Sequence, residues 1–199
     1  MRDYGSLLSS HRCWNQDSHD AFMAGKAPQD QLLQNRQELL ALCAWIETQQ
    51  IRSYLEIGIW TGQLISCLDE LFGFDKLAVC DLRQAEQLGL PIQVPVRTQT
   101  FWGSSHSIEF MAWRHALGPM DLVFIDGDHS LAGVKRDFEL NLRYPHRYLA
   151  FHDIAGSTPS TVGVRSFWEG LPGIKHEIIL PNPENRGMVD MGIGIWCRE

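Results

Sequence analysis

The sequence predicts an α/β protein built on a mostly parallel, doubly wound sheet, and three apolar runs that end in ionisable or glycine residues carry that prediction. Asp121-Leu122-Val123-Phe124-Ile125 runs into Asp126-Gly127-Asp128-His129. Tyr54-Leu55-Glu56-Ile57 runs into the turn Gly58-Ile59-Trp60-Thr61-Gly62, and Tyr148-Leu149-Ala150-Phe151 runs into His152-Asp153. Short runs of this kind, separated by helical patterns, mark parallel strands buried on both faces. Open α/β sheets hold ligands outside the carboxyl ends of their strands, so acids placed there meet a ligand rather than a core.

Along the chain, residues 1–28 are polar and aperiodic, with His11, Trp14, His19 and Pro28 among them. They read as a loop, a lid or a frayed arm ahead of a single domain over 29–199. Over 31–50, Leu32, Leu33, Leu39, Leu40, Leu42, Cys43 and Ile46 recur at helical spacing. The first strand covers 53–57, and the turn 58–62 leads into a helix carrying Leu64, Ile65, Cys67, Leu68 and Leu71 that Gly73 is placed to end. Residues 76–81 form a second strand with Asp81 at its tip. A third covers 98–102, followed by Gly103-Ser104-Ser105 and a helix over about 107–116. The fourth strand is 121–125, and Leu131, Val134, Phe138 and Leu140 mark the helix after it. The fifth is 147–151, with a helix near 164–171. Two last apolar runs, 175–180 and 191–196, have no helix between them and are expected to pair antiparallel at the sheet edge, which makes the sheet mixed.

Composition narrows the function classes. At 199 residues and 44% hydrophobic content, the chain can bury a sizeable core within one α/β unit. A formal charge of −7 argues against a nucleic-acid partner, which normally meets a concentrated basic surface. The basic stretch 143–147 reads as a solvated loop. The five cysteines (Cys13, Cys43, Cys67, Cys80 and Cys197) are odd in number and scattered, without CxxC or zinc-type spacing, as expected of reduced thiols. The amino terminus lacks an apolar secretory core, and no run approaches the ~18 apolar residues of a membrane helix. A cytoplasmic protein without a membrane partner is the expectation.

Glycines at the end of the first strand let the backbone approach a ligand, and the following helix start offers unpaired N–H groups. Such a turn also exists for tight packing alone. The dinucleotide pattern GxGxxG is broken at Trp60, and no GxxxxGK[ST] loop is present, which speaks against nicotinamide and nucleoside-triphosphate enzymes. Asp81 can cap the next turn with Leu82 and Arg83, or accept hydrogen bonds from two adjacent ribose hydroxyls. Its spacing after the Glu56-Gly58-Gly62 turn favours the ribose.

Together, Glu56-Ile57-Gly58 with Gly62, Asp81, the run Phe124-Ile125-Asp126-Gly127-Asp128-His129-Ser130, and Phe151-His152-Asp153 resemble the class I S-adenosylmethionine-dependent methyltransferases. The nearest resemblance is to the small-molecule branch with macrocin-type O-methyltransferases and cephalosporin-hydroxylase-like proteins. It covers roughly 31–196, and its most specific part is the IDGDH motif with Val134, Arg136, Asp137 and Phe138 in the next helix. The resemblance implies a Rossmann-like, three-layer α/β/α fold with a seven-stranded sheet of order 3-2-1-4-5-7-6, the last strand antiparallel. It implies S-adenosylmethionine as cofactor and methyl transfer to oxygen or nitrogen of a small-molecule acceptor. Glu56, Gly58 and Gly62 would line the methionine portion, Asp81 the ribose, and Gly103, Ser104 and Ser105 the adenine edge, with Asp126 beneath the sulfonium. The departures are Trp60, where many relatives have a small residue, and the missing acid after Gly103.

Relatives with this motif often hold a divalent cation, and the corresponding positions are Asp126, His152 and Asp153. Magnesium is the first expectation, although His152 shifts the set toward manganese, iron or zinc. The alternative is that His152 bonds a loop and Asp153 caps the helix beyond. Asp128 and His129 are the candidate catalytic bases, because a neutral hydroxyl is a poor nucleophile until its proton is removed. His129 equally suits a role in fixing the loop. Trp14, Trp102 and Trp168 could line an acceptor pocket, although isolated aromatics more often belong to a core. A metal-dependent hydroxylase on the same scaffold and a non-catalytic nucleoside-binding module stand as alternatives. A homo-oligomer is left open.

Overall fold

Alternation along each strand decides which side chains share a face of the sheet. In the computed structural model, which describes residues 2–28, 30–186 and 191–197, the strands are β1 (Ser53–Ile57), β2 (Lys76–Asp81), β3 (Gln99–Trp102), β4 (Met120–Ile125), β5 (His146–His152), β6 (Ile174–Ile178) and β7 (Ile193–Cys197). They form one seven-stranded sheet of order β3-β2-β1-β4-β5-β7-β6, parallel except that β7 runs antiparallel to both β5 and β6. The helices are α1 (Tyr4–Leu7), α2 (Gln16–Met23), α3 (Arg36–Gln49), α4 (Gln63–Phe72), α5 (Gln84–Gln87), α6 (Ile108–Leu117), α7 (Leu131–Asn141) and α8 (Val162–Gly170).

Two apolar layers follow from the alternation. Tyr54, Leu77, Val79, Leu122, Phe124 and Ala150 face Leu39, Leu42, Ile46, Ile65 and Leu68 of α3 and α4. Leu55, Ile57, Ala78, Val123, Ile125 and Phe151 face Phe110, Val134, Phe138 and Phe167 of α6, α7 and α8. The expected fold class therefore holds, with helices on both faces. No described helix is long and apolar enough to cross a membrane.

Where the elements differ from expectation, local chemistry explains the shift. α3 starts at Arg36 rather than near 31, because the Asn35 side chain accepts a hydrogen bond from the Gln37 N–H and caps the helix there. Leu32 instead lies extended, its N–H donating to the Arg12 carbonyl at 2.8 Å. The lead segment is folded rather than a free arm or frayed end: Tyr4, Leu8 and Cys13 are buried in the α3–α4 layer. The Arg36 guanidinium donates to the carbonyls of Leu8 and His11, and Asn182 donates to that of Trp14. The expected boundary at 29 and the terminal residues 198–199 lie outside the described residues.

Candidate functional site

The pairing register places Asp81 and Asp126 in one row and Glu56 one same-face position behind it. Glu56 stands opposite Val79 on β2 and Phe124 on β4, and Phe124 stands opposite Ala150 on β5. Two residues further along these strands come Asp81, Gly58, Asp126 and His152. They are side by side across four neighbouring strand tips and share the parity of the α3–α4 face. The ladder continues into the row, since Gly58 N–H donates to the Cys80 carbonyl and Asp126 N–H to that of Ile57.

Gly58 is the position where backbone freedom is needed. Its φ is 81°, and a Cβ there would lie 2.2 Å from the Asp126 carbonyl oxygen. With no side chain at Gly58, the tips of β1 and β4 close together beside a cavity of about 520 Å³, a volume suited to a cofactor-sized ligand. Its walls include Glu56, Gly58, Asp81, Gly103, Ser104, Ser105, Asp126, Asp128 and His129, so most of the predicted residues converge. Gly62 does not line it. That glycine begins α4, and a Cβ on it would lie 2.1 Å from the Gln93 carbonyl oxygen, so it packs against the 88–97 loop.

Each acid has a defined environment. The Glu56 carboxyl is buried and accepts a hydrogen bond from the Tyr54 hydroxyl at 2.9 Å, its neighbour on the same face. Burial raises its pKa well above the usual range, and the Asp126 and Asp81 charges push the same way. Asp81 accepts from the Ile59 N–H at 2.9 Å and also from the Arg83 N–H, so it fixes the turn after β1 and caps the next one while lining the cavity. Asp128 accepts from the Ser130 N–H at 2.9 Å; although burial opposes it, that bond holds the carboxyl below its ordinary value.

Behind the wall, two carboxylates and two imidazoles interlock. His129 Nε2 lies 3.0 Å from Asp126 Oδ1, and its Nδ1 lies 3.5 Å from Asp153 Oδ2. His152 Nδ1 is 3.3 Å from Asp126 and 3.7 Å from Asp153. Burial disfavours the charged imidazole of His152, yet the Asp126 and Asp153 charges override it and push the pKa to about 10. The same balance raises His129 and holds Asp126 well below the carboxylate range. Asp126, His152 and Asp153 also bring three potential donor atoms within 4.8 Å of one another. Asp153 has a φ of 61°, a left-handed conformation that aspartate tolerates.

Several wall residues escaped sequence reasoning, Gln31, Leu33, Gln34, Gln84 and His106 among them. Gln31, Leu33 and Gln34 come from the approach to α3, and the Trp60 indole donates to the Pro28 carbonyl at 3.1 Å, which straps that approach to the turn after β1. Trp60 itself sits at a φ of 51°, a strained conformation for a bulky residue. Only a polar residue ahead of a helix cap could have hinted at the wall, and that signal is common. Trp14, Trp102 and Trp168 do not line the cavity; Trp14 and Trp168 are buried, whereas Trp102 is exposed at the end of β3.

This strand order, with its antiparallel β7 and a cavity at the β1, β2 and β4 tips, defines the class I methyltransferase fold. The chain matches no protein-family model and no curated protein. Among solved structures it is similar to the O-methyltransferase TomG of Streptomyces achromogenes, involved in tomaymycin synthesis and in complex with SAM. The identity is 17% over 90% of this chain and 86% of that one, with a TM-score of 0.62. It is also similar to an O-methyltransferase from Bacillus cereus in complex with SAH, at 16% identity over 100% and 92% of the two chains and a TM-score of 0.58. Cofactor-bound Rv0187 from MTB aligns at 20% identity over 91% and 88%, again at 0.58.

Proposed function

We propose that this chain is an S-adenosylmethionine-dependent methyltransferase acting on an oxygen or nitrogen of a small-molecule acceptor. The observation that carries the reading is the row of Asp81, Gly58 and Asp126 beside the buried Glu56, all bordering one cavity. The likeness in fold to SAM- and SAH-bound O-methyltransferases supports it. Bound S-adenosylmethionine would supply a sulfonium-activated methyl group, electrophilic toward the lone pair of the acceptor.

The chain's own residues then divide the work. Asp81 retains lone pairs for ribose hydroxyls beyond those used by the Ile59 and Arg83 amides. Glu56 and Gly58 would border the amino-acid end and Gly103, Ser104 and Ser105 the adenine, with Asp126 on the sulfonium side. Neutral His129, its Nε2–H held by Asp126, would take the acceptor proton on Nδ1, where the Asp153 carboxylate 3.5 Å away stabilises the imidazolium that results. Asp128 is the weaker base, since its carboxyl is tied to the Ser130 amide.

The reading extends to a divalent cation, which Asp126, His152 and Asp153 would hold. Such an ion would lower the pKa of an acceptor hydroxyl, and a set with an imidazole suits manganese, iron or zinc as well as magnesium. His152 is also the observation favouring the second reading, a metal-dependent hydroxylase on this scaffold. Metal analysis of the purified protein separates the two, tightly bound iron pointing to oxidation.

Calorimetry with S-adenosylmethionine and S-adenosylhomocysteine, with and without magnesium, tests the main reading. Nanomolar to low-micromolar binding is expected. No heat at millimolar ligand would remove it.

A further inference from the structure

We propose that Asp137 is a positioning residue: from behind the cavity wall it holds the His106 ring, and with it the loop after β3, in the shape that receives an S-adenosyl ligand; this rests on the cofactor reading above. Asp137 belongs to α7 and is fully buried, while Val134 and Phe138 of the same helix pack in the apolar layer against the sheet. An acid in such a place costs more than an apolar side chain of its size unless its surroundings hold it. Those surroundings come from the two loops that meet at the cavity. His106 Nε2 lies 3.2 Å from Asp137 Oδ1, and a Cβ on Gly127 would lie 3.8 Å from Asp137 Oδ2. Burial raises the Asp137 pKa, and the Ser105 hydroxyl and His106 charge pull against that rise without cancelling it. Ser105, His106 and Gly127 all line the cavity, whereas Asp137 stays behind them.

His106 is held at three points. The residue before Asp137 acts on the same target, since the Arg136 guanidinium donates to the His106 carbonyl at 3.0 Å. The His106 N–H donates to Ser104 Oγ at 3.2 Å, and the Ser107 N–H donates to the Ser104 carbonyl at 3.0 Å just before Ser107 caps α6. Arg136 and Ser104 already fix the backbone of this loop. The additional hold from Asp137 acts on the ring, which is the part of His106 whose setting decides the shape of the wall. A wall set before the ligand arrives spares the cost of ordering it on binding.

The test is a double-mutant cycle on Asp137→Asn, His106→Ala and the pair, read by calorimetry with S-adenosylhomocysteine. Each single variant is expected to lose about tenfold in affinity and the pair no more than either alone, because the two side chains act as one unit. His106→Gln, whose amide nitrogen can donate to Asp137 in place of Nε2, is expected to recover to within about threefold of the wild type. The thermal midpoint of Asp137→Asn is expected to hold or rise, because the acid it removes is disfavoured by burial. A loss of affinity at an unchanged midpoint separates positioning from a merely structural role. Should Asp137→Asn fail to fold, His106→Ala against His106→Gln decides, equal losses overturning the inference. Losses that multiply in the pair, or no loss in Asp137→Asn, also overturn it and leave the cofactor reading standing. A wild type that gives no heat with S-adenosylhomocysteine overturns both.

Discussion

Glu56 is 2% exposed, one same-face position behind the row, so its ionisation is opposed first by burial and then by the Asp126 and Asp81 charges. The Tyr54 hydroxyl works against that balance without reversing it. The folded protein therefore keeps a proton that the unfolded chain releases. The contribution is fully present below the ordinary value of 4.5 and is lost as pH rises toward the higher folded value. Glu56→Gln, which still accepts from Tyr54, is expected to be more stable than the wild type at pH 8 in urea unfolding without ligand, with the gap closing toward pH 4. A gap that ignores pH would show that Glu56 is ionised in the fold. Asp81→Ala is expected to weaken S-adenosylhomocysteine binding by about 1–3 kcal/mol through lost charge-assisted hydrogen bonds. Unchanged affinity would assign this acid wholly to the turn, where Ile59 and Arg83 already use it. The acids were legible in the sequence because each follows an apolar run that has to be a strand. Gln31 and Gln34 were not, since their place depends on a long-range strap from Trp60 to Pro28 that no local pattern encodes.

At the scale of elements, the turn after β1 works only because the β4 tip crosses it closely. Gly58→Ala would force a Cβ toward the Asp126 carbonyl oxygen at a φ of 81°. The strain and overpacking together are expected to destabilise the protein by roughly 2–6 kcal/mol, read from the denaturation midpoint. A loss below about 0.5 kcal/mol would show that the two tips separate easily. β1 and β2 match the sequence prediction residue for residue, since their apolar runs are bounded by polar or glycine residues at both ends. The ends that shifted have a reason in chemistry beyond hydrophobic period. α3 begins where Asn35 caps it although Leu32 and Leu33 continue the helical pattern, and β5 reaches His152 because the ladder to β7 runs on to Ile193. Periodicity reports burial, and burial continues past the point where a cap or a ladder sets the boundary.

For the molecule as a whole, the open question in the sequence was the lead segment, whose polar composition hid a small number of buried anchors. Tyr4, Leu8 and Trp14 are each under 10% exposed, and the first two pack on the layer formed by α3 and α4. Burial of three such side chains is worth roughly 4.5–9 kcal/mol before the entropy of ordering the segment is set against it. That gross figure approaches the whole net stability of a typical domain, about 5–15 kcal/mol. Removing residues 1–30 would also uncover the apolar surface beneath and delete the Pro28 end of the Trp60 strap. The truncated chain is therefore expected to unfold at a clearly lower denaturant concentration, to bind a hydrophobic dye, and to lose S-adenosylhomocysteine affinity in parallel. If it instead keeps the full-length midpoint and affinity, the segment is a dispensable arm, and the wall formed by Gln31, Leu33 and Gln34 owes nothing to the helices that precede it.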